Sequence, residues 1–160
     1  MPFKRRKEGK TDYDQRLKLL KSGKPSLVVR KSSKYITAQI AEFGGKGDKI
    51  LASSTSRELK KLGWDFACDN LPAAYLTGLL IGKKSSDKKI NEAVLNSGLY
   101  PSVKGSRVYA VVKGAKDAGL NVPVDDEILP GEDRIKGEHI KKFNNLASEF
   151  EKIKGKIIGG

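Results

Sequence analysis

At 160 residues the chain has room for one hydrophobic core with an appended arm or tail, and two full domains are not expected. Its formal net charge of +13, from 32 Lys+Arg against 19 Asp+Glu, sets up a positive field that a neutral metabolite would not require and points to a polyanionic partner. Membrane spanning is excluded, because the most apolar stretch, 71–81, is far shorter than the roughly 20 residues a span needs.

The first segment, 1–24, is expected to be a basic arm ending in a short helix. Residues 1–6 place Pro2 and charges where a secretory signal would need an apolar run, so a soluble cytoplasmic protein is expected. Lys4, Arg5, Arg6, Lys7 and Lys10 are interleaved with Phe3 and Tyr13, which predicts an extended arm. Thr11 followed by Asp14 has the spacing of a capping box, and Leu17 and Leu20 then fall on one face of a short helix. Gly23 and Pro25 stop it. Leu27, Val28 and Val29 read as a buried strand ended near Lys31 by a Ser32-Ser33 turn. In 35–42, Ile36, Ala38 and Ile40 alternate with Tyr35, Thr37 and Gln39, the period of a strand with one wet face. Gly44, Gly45 and Gly47 make a hairpin into a third strand at 49–54.

The period then changes. Thr55 and Glu58 are spaced as a capping box for a helix with Leu59 and Leu62 on its apolar edge, and Gly63 marks its end. Asn70 caps a second helix, with Pro72 in its first turn, and Ala73, Ala74, Leu76, Leu79, Leu80 and Ile81 make it apolar almost all round. That helix must be buried. Residues 92–96 read as a fourth strand, parallel to a neighbour because a helical crossover precedes it. The loop 97–106, with Tyr100 and Lys104, leads to a helix carrying Val108, Val111, Val112 and Ala115, ended by Gly119. A fifth strand is expected at 120–124, and a final helix from about 137 to 154 with Ile140, Phe143, Leu146, Phe150 and Ile153 along one stripe. The domain reading is an arm at 1–24, an α/β core at 25–124, and an acidic linker with a helical extension at 125–160.

Catalytic signatures fail in turn. Gly78, Gly82, Lys83, Lys84 and Ser85 faintly resemble a phosphate loop, but the glycine spacing is one short and the lysines close a helix instead of opening one. Cys68 and His139 lie in no nucleophile–base signature, and a lone Cys forms no internal disulfide and packs as a small hydrophobe. The acidic run from Asp125 to Asp133 lacks the alternating spacing of a calcium loop and reads as a solvated face or a clamp on the protein's own basic surface. No metal, cofactor or small-molecule substrate is expected.

Charge runs at chain ends are often only solvated tails. Here the charge is nearly single-signed and carries aromatics that stack on bases while cations neutralise phosphates. Arg5, Arg6 and Arg16 rank first, because the guanidinium fork matches phosphate. Lys18 extends the arm's set beside Thr11, Arg30, Lys31, Ser32, Ser33, Lys34 and Tyr35 surround one turn, Thr37 and Gln39 continue the wet face, and Tyr100, Lys104 and Arg107 approach a helix start. All are candidate RNA-binding residues.

The run Phe3-Lys4-Arg5-Arg6-Lys7-Glu8-Gly9-Lys10-Thr11-Asp12-Tyr13, with Arg16-Leu17-Lys18-Leu19-Leu20, Ser22-Gly23-Lys24-Pro25 and Leu27-Val28-Val29-Arg30, resembles the amino-terminal signature of the archaeal-type ribosomal protein eighteen of the large subunit. Tyr35-Ile36-Thr37-Ala38-Gln39, Ala73-Ala74-Tyr75-Leu76-Thr77-Gly78, Lys113-Gly114-Ala115-Lys116-Asp117-Ala118-Gly119-Leu120 and Arg134-Ile135-Lys136-Gly137-Glu138-His139-Ile140 extend the likeness over almost the whole chain. The resemblance implies a ribonuclease-H-like α/β core with a mixed sheet. It also implies 5S rRNA, large-subunit rRNA and neighbouring proteins of the central protuberance as partners. Nucleases of that architecture begin their carboxylate set on the first strand, where this chain has Leu27, Val28, Val29 and Arg30, so a non-catalytic scaffold is expected. Two alternatives stand beside it: another non-catalytic RNA-binding module, and an enzyme of nucleic-acid processing.

Overall fold

The computed structural model describes residues 2–160; Met1, the first residue of the expected arm, lies outside them. The sheet has four strands in the order β3-β2-β1-β4, formed by β1 (Ser26–Lys31), β2 (Ile36–Phe43), β3 (Asp48–Thr55) and β4 (Val94–Asn96). The first three make the expected antiparallel meander, and β4 pairs parallel to β1, with Leu27 opposite Leu95. Alternation decides the faces: Leu27, Val29, Ile36, Ala38 and Ile40 are fully buried on one side. A bulge between Ile40 and Ala41 shifts the register against β3, and these two neighbours are consequently both buried.

Helices α1 (Lys4–Lys7) and α2 (Tyr13–Lys21) form the arm; α3 (Glu58–Lys61) and α4 (Leu71–Asp87) make the crossover; α5 (Arg107–Asp117), α6 (Glu132–Lys136) and α7 (Leu146–Gly159) follow. Asn70 caps α4 as anticipated, its Oδ1 accepting from the Ala73 amide at 2.9 Å; of the expected Thr55–Glu58 box only one half forms, the Thr55 amide donating to the Glu58 carboxylate at 3.0 Å, and α3 starts after Arg57 without a side-chain cap. Helix α4 is buried on nearly every side, packed between the sheet and α5. It runs past the apolar segment to Asp87, so Lys83 and Lys84 sit within its last turns.

Four expectations are corrected. The arm is not extended: residues 4–7 form a helical turn, and Phe3 packs on Tyr13 with ring centroids 4.9 Å apart. The cap of α2 is Asp12 rather than Thr11, its carboxylate accepting from the amides of Asp14 and Gln15 at 3.0 and 3.1 Å. No fifth strand forms at 120–124; Asn121 makes one parallel bridge to Glu92, and Pro123, which has no N–H to donate, prevents the ladder from continuing. The final helix begins at Leu146, not near 137. Gly137 takes φ +79° to close α6, and a Cβ there would lie 2.4 Å from Leu146 Cδ2, so the chain turns before the stripe of Leu146, Phe150, Ile153 and Ile157 enters the core.

Candidate nucleic-acid interface

Helices α3 to α5 occupy one face of the sheet, with α7 packed against α4, which leaves Ser26, Val28, Arg30, Thr37 and Gln39 on the other. The arm folds back onto that open face: Leu19 and Leu20 of α2 sit over Ser26, Val28 and Ala41. The bidentate pair Arg16–Asp48 holds it there, with Arg16 Nη2 and Nη1 at 2.8 and 3.0 Å from the two carboxylate oxygens. These hydrogen bonds raise the Arg16 guanidinium above its ordinary pKa and hold the Asp48 carboxyl below the usual carboxylate range.

Between the arm and the β1–β4 end of the sheet lies a cleft of about 350 Å³ lined by Arg5, Lys10, Tyr13, Arg16, Arg30 and Asn96, among others. Arg5 Nε donates to Thr11 Oγ1 at 2.9 Å, which keeps the guanidinium turned into this cleft. Arg30 Nη1 donates to the carbonyls of Asn96 and Val29 at 2.9 and 2.8 Å. Burial pulls its pKa below the ordinary value, though an arginine remains charged. Gly98 beside it takes φ +64°, a left-handed conformation that favours glycine.

The next residues of that loop carry the surface onward. The Tyr100 hydroxyl accepts from the Lys31 amide at 3.2 Å and donates to the Lys31 carbonyl at 2.9 Å, while Lys31 Nζ sits 4.8 Å from its ring centre. Ser33, Lys34 and Tyr35 then line a second cleft against the 66–69 loop. Ser32 closes the turn, its Oγ accepting from the Tyr35 amide at 3.1 Å.

The structure therefore gathers Arg5, Lys10, Thr11, Tyr13, Arg16 and Arg30 in one cleft and Ser33, Lys34 and Tyr35 in another, joined by Lys31 and Tyr100. Lys4, Arg6, Lys7 and Lys18 are exposed on the arm outside both clefts, with Arg6 3.8 Å from Asp14, and Phe3 is two-thirds exposed. Thr37 and Gln39 lie half-buried on the open face, where Gln39 reaches Ser53 at 3.4 Å. Lys104 is exposed and apart from both clefts. Arg107 turns away to bond the Asp69 carbonyl at 2.9 Å, tying α5 to the loop before α4. Residues not singled out from sequence, including Asp48, Asn96 and Asp69, shape the site through long-range bonds that leave no local pattern; only their partners' charge gave a signal.

The Cys68 thiol is buried and pushed up in pKa by that burial, the opposite of an activated nucleophile. Among the described residues no group of three His, Cys, Asp or Glu side chains is placed to hold a metal ion, and no helix is long and apolar enough to cross a membrane.

Residues 1–92 match the family model described as ribosomal large subunit proteins 60S L5 and 50S L18. The chain belongs to this family. It is 54% identical over 147 residues to the large ribosomal subunit protein uL18 of Korarchaeum cryptofilum, covering 92% of this chain and 75% of that protein. It is 52% identical over 149 residues to the uL18 protein of Methanococcus maripaludis, covering 93% and 77%. As a member of the uL18 family it is a structural, non-catalytic component of the large ribosomal subunit, with ribosomal RNA and ribosomal proteins as its surroundings. The cationic clefts and the absence of any carboxylate from β1 accord with that role.

Proposed function

We propose that the chain binds 5S rRNA through its arm and open sheet face and bridges it to the large-subunit rRNA in the central protuberance, beside neighbouring ribosomal proteins. The convergence of Arg5, Lys10, Arg16 and Arg30 on one cleft carries the reading, because cations held by a folded sheet present phosphate ligands at set spacings. Phe3, Lys4, Arg6, Lys7 and Lys18 extend the contact along the arm. Lys31 to Tyr35, Thr37, Gln39, Tyr100, Lys104 and Arg107 are assigned to the same partner. The sheet order, with its parallel β4, is compatible with a ribonuclease-H-like core. The division into an arm at 1–24, a core at 25–124 and an acidic, helical segment at 125–160 belongs to the same reading.

Bridging draws support from cations on the helical side of the sheet. Lys156 Nζ donates to the Leu62 carbonyl at 2.8 Å and Lys88 Nζ to that of Leu51, and among the described residues neither forms an ion pair with a carboxylate side chain. They line neither cleft and suit a second RNA.

Competition at constant salt between 5S rRNA and other folded RNAs, including tRNA, tests the reading. Preferential retention of 5S rRNA is the expected result; equal displacement by every RNA would sink it.

A further inference from the structure

The second cleft has a shape and lining that phosphate neutralisation alone does not explain. It encloses about 230 Å³ between the β1–β2 turn and the 66–69 loop, and Ser33, Lys34, Tyr35, Lys60, Phe66 and Asp69 are among its walls. We propose that it is a single-nucleotide site: one unstacked nucleotide of the bound RNA inserts its base beside Tyr35 and Phe66 while Lys34 and Lys60 meet its flanking phosphates. This rests on the RNA-binding reading above and adds to it a base-recognition pocket.

Size comes first. The cleft is smaller than the roughly 300–1,000 Å³ of sites that enclose drug-sized ligands, and it suits one planar ring system. Both aromatic walls are held in place. Phe66 is gripped edge-on by Trp64 and by Phe143, each with ring centroids 5.2 Å away. Tyr35, a wall of the cleft, carries the Arg57 guanidinium 4.7 Å from its ring centre, which steadies the ring. Its backbone is fastened within the turn: the Ser32 amide donates to the Tyr35 carbonyl at 2.8 Å and the Tyr35 amide donates to Ser32 Oγ at 3.1 Å. Rigid walls reduce the ordering cost of binding.

Asp69 sets the chemistry of the base. A carboxylate is out of place on a surface that only neutralises phosphate, since it repels the ligand. Arg107 nevertheless pins this loop, donating to the Asp69 carbonyl at 2.9 Å and lying 3.9 Å from its carboxylate. A carboxylate accepts hydrogen bonds only, so it selects a base edge that presents N–H donors, such as an exocyclic amine. The cationic surroundings, Lys34, Lys60 and Arg57, favour a polyanion over a protein segment. Lys31 and Tyr100 connect this cleft to the arm's cleft, so RNA held by the arm runs toward it. Recognition of unstacked bases on aromatic platforms is the general means by which proteins read single-stranded RNA.

The test uses the full chain bound to 5S rRNA. Ultraviolet irradiation followed by peptide mapping is expected to give a single-nucleotide adduct on Tyr35 or Phe66. Tyr35→Leu is expected to weaken binding about tenfold, the loss of one stacked base, and to make one nucleotide reactive toward base-specific chemical probes while the arm's protections persist. Lys60→Ala, at an exposed position that folding does not depend on, is expected to lower the salt slope by about 0.7 to 0.9. Wild-type affinity, slope and base reactivity in both variants would overturn the nucleotide site and leave the RNA-binding reading standing. Failure of the wild-type chain to bind 5S rRNA would overturn both. Cross-linking of the cleft to a neighbouring protein, and not to RNA, in assembled subunits would overturn it in favour of a protein dock. Should Tyr35→Leu not fold, the slope of Lys60→Ala decides.

Discussion

Gly114 of α5 has no space for a side chain: a Cβ there would lie 2.1 Å from the Tyr75 carbonyl oxygen, and one at Gly78 of α4 would lie 2.1 Å from that of Val111. The two helices meet backbone to backbone. Gly78 and Gly82, which in sequence faintly resemble a phosphate loop, are thus packing residues, Gly82 facing the Ala118 methyl. Because the opposing atoms are main chain and cannot swing aside, Gly114→Ala is expected to lower unfolding free energy by about 3 kcal/mol in urea titration. A change near zero would mean that the helices can part freely. Tyr75 supplies a second residue-level test. Its hydroxyl donates to Asp117 at 2.5 Å, and burial first, then that bond, raises its pKa well above the ordinary phenol value. The folded state thus keeps the proton that the unfolded chain releases near pH 10, so this contribution is complete below pH 10 and is lost as pH rises toward the folded value. Tyr75→Phe should flatten the decline of stability above pH 10 relative to wild type and cost about 1 kcal/mol at neutral pH, both readable from thermal melts.

At the scale of elements, the arm's docking is the part most open to manipulation. Arg16 and Asp48 are each about a third exposed, so their bidentate pair contributes about 1 kcal/mol at most. Asp48→Asn is expected to speed amide exchange through 13–21 while leaving α4 and α5 protected. The wild-type arm should loosen in the same way only in acid: the Asp48 pKa is depressed, so the contribution is present above the unfolded value near 3.9 and disappears as pH falls through the folded one. Exchange unaltered in Asp48→Asn would mean that Leu19 and Leu20 suffice to hold α2. Elements also mark where pattern reading succeeds and where it breaks. The meander, the Asn70-capped helix and the parallel β4 were legible, since period-two and capping signals lie within a few residues. The 120–124 segment has the apolar content of a strand, but Pro123 removes the donor that pairing needs. The last helix was misplaced because Ile140 and Phe143 continue its spacing across a turn, and Phe143 serves the Phe66 ring instead.

For the whole molecule, charge and core are physically separable. Residues 2–10 contain no buried side chain, so deletion of 1–10 is expected to leave the melting transition in place while weakening RNA binding strongly. Lys4, Arg5, Arg6, Lys7 and Lys10 leave with it, and the slope of log affinity against log salt should fall by about 3.5 to 4.5. An intact chain that neutralises about eight phosphates should lose on the order of a hundredfold in affinity when salt is doubled. Undiminished affinity in the truncated chain would count against the arm's assigned role. Composition and short-range periodicity by themselves determined the sign of the surface, the α/β class and the buried helix, because each follows from side chains a few positions apart. Only the tertiary structure decided which partners within the fold hold each of these cations in position. Arg16–Asp48, Arg30–Asn96 and Arg107–Asp69 join residues 32, 66 and 38 positions apart, and contacts at that range are set by how strands and helices stack.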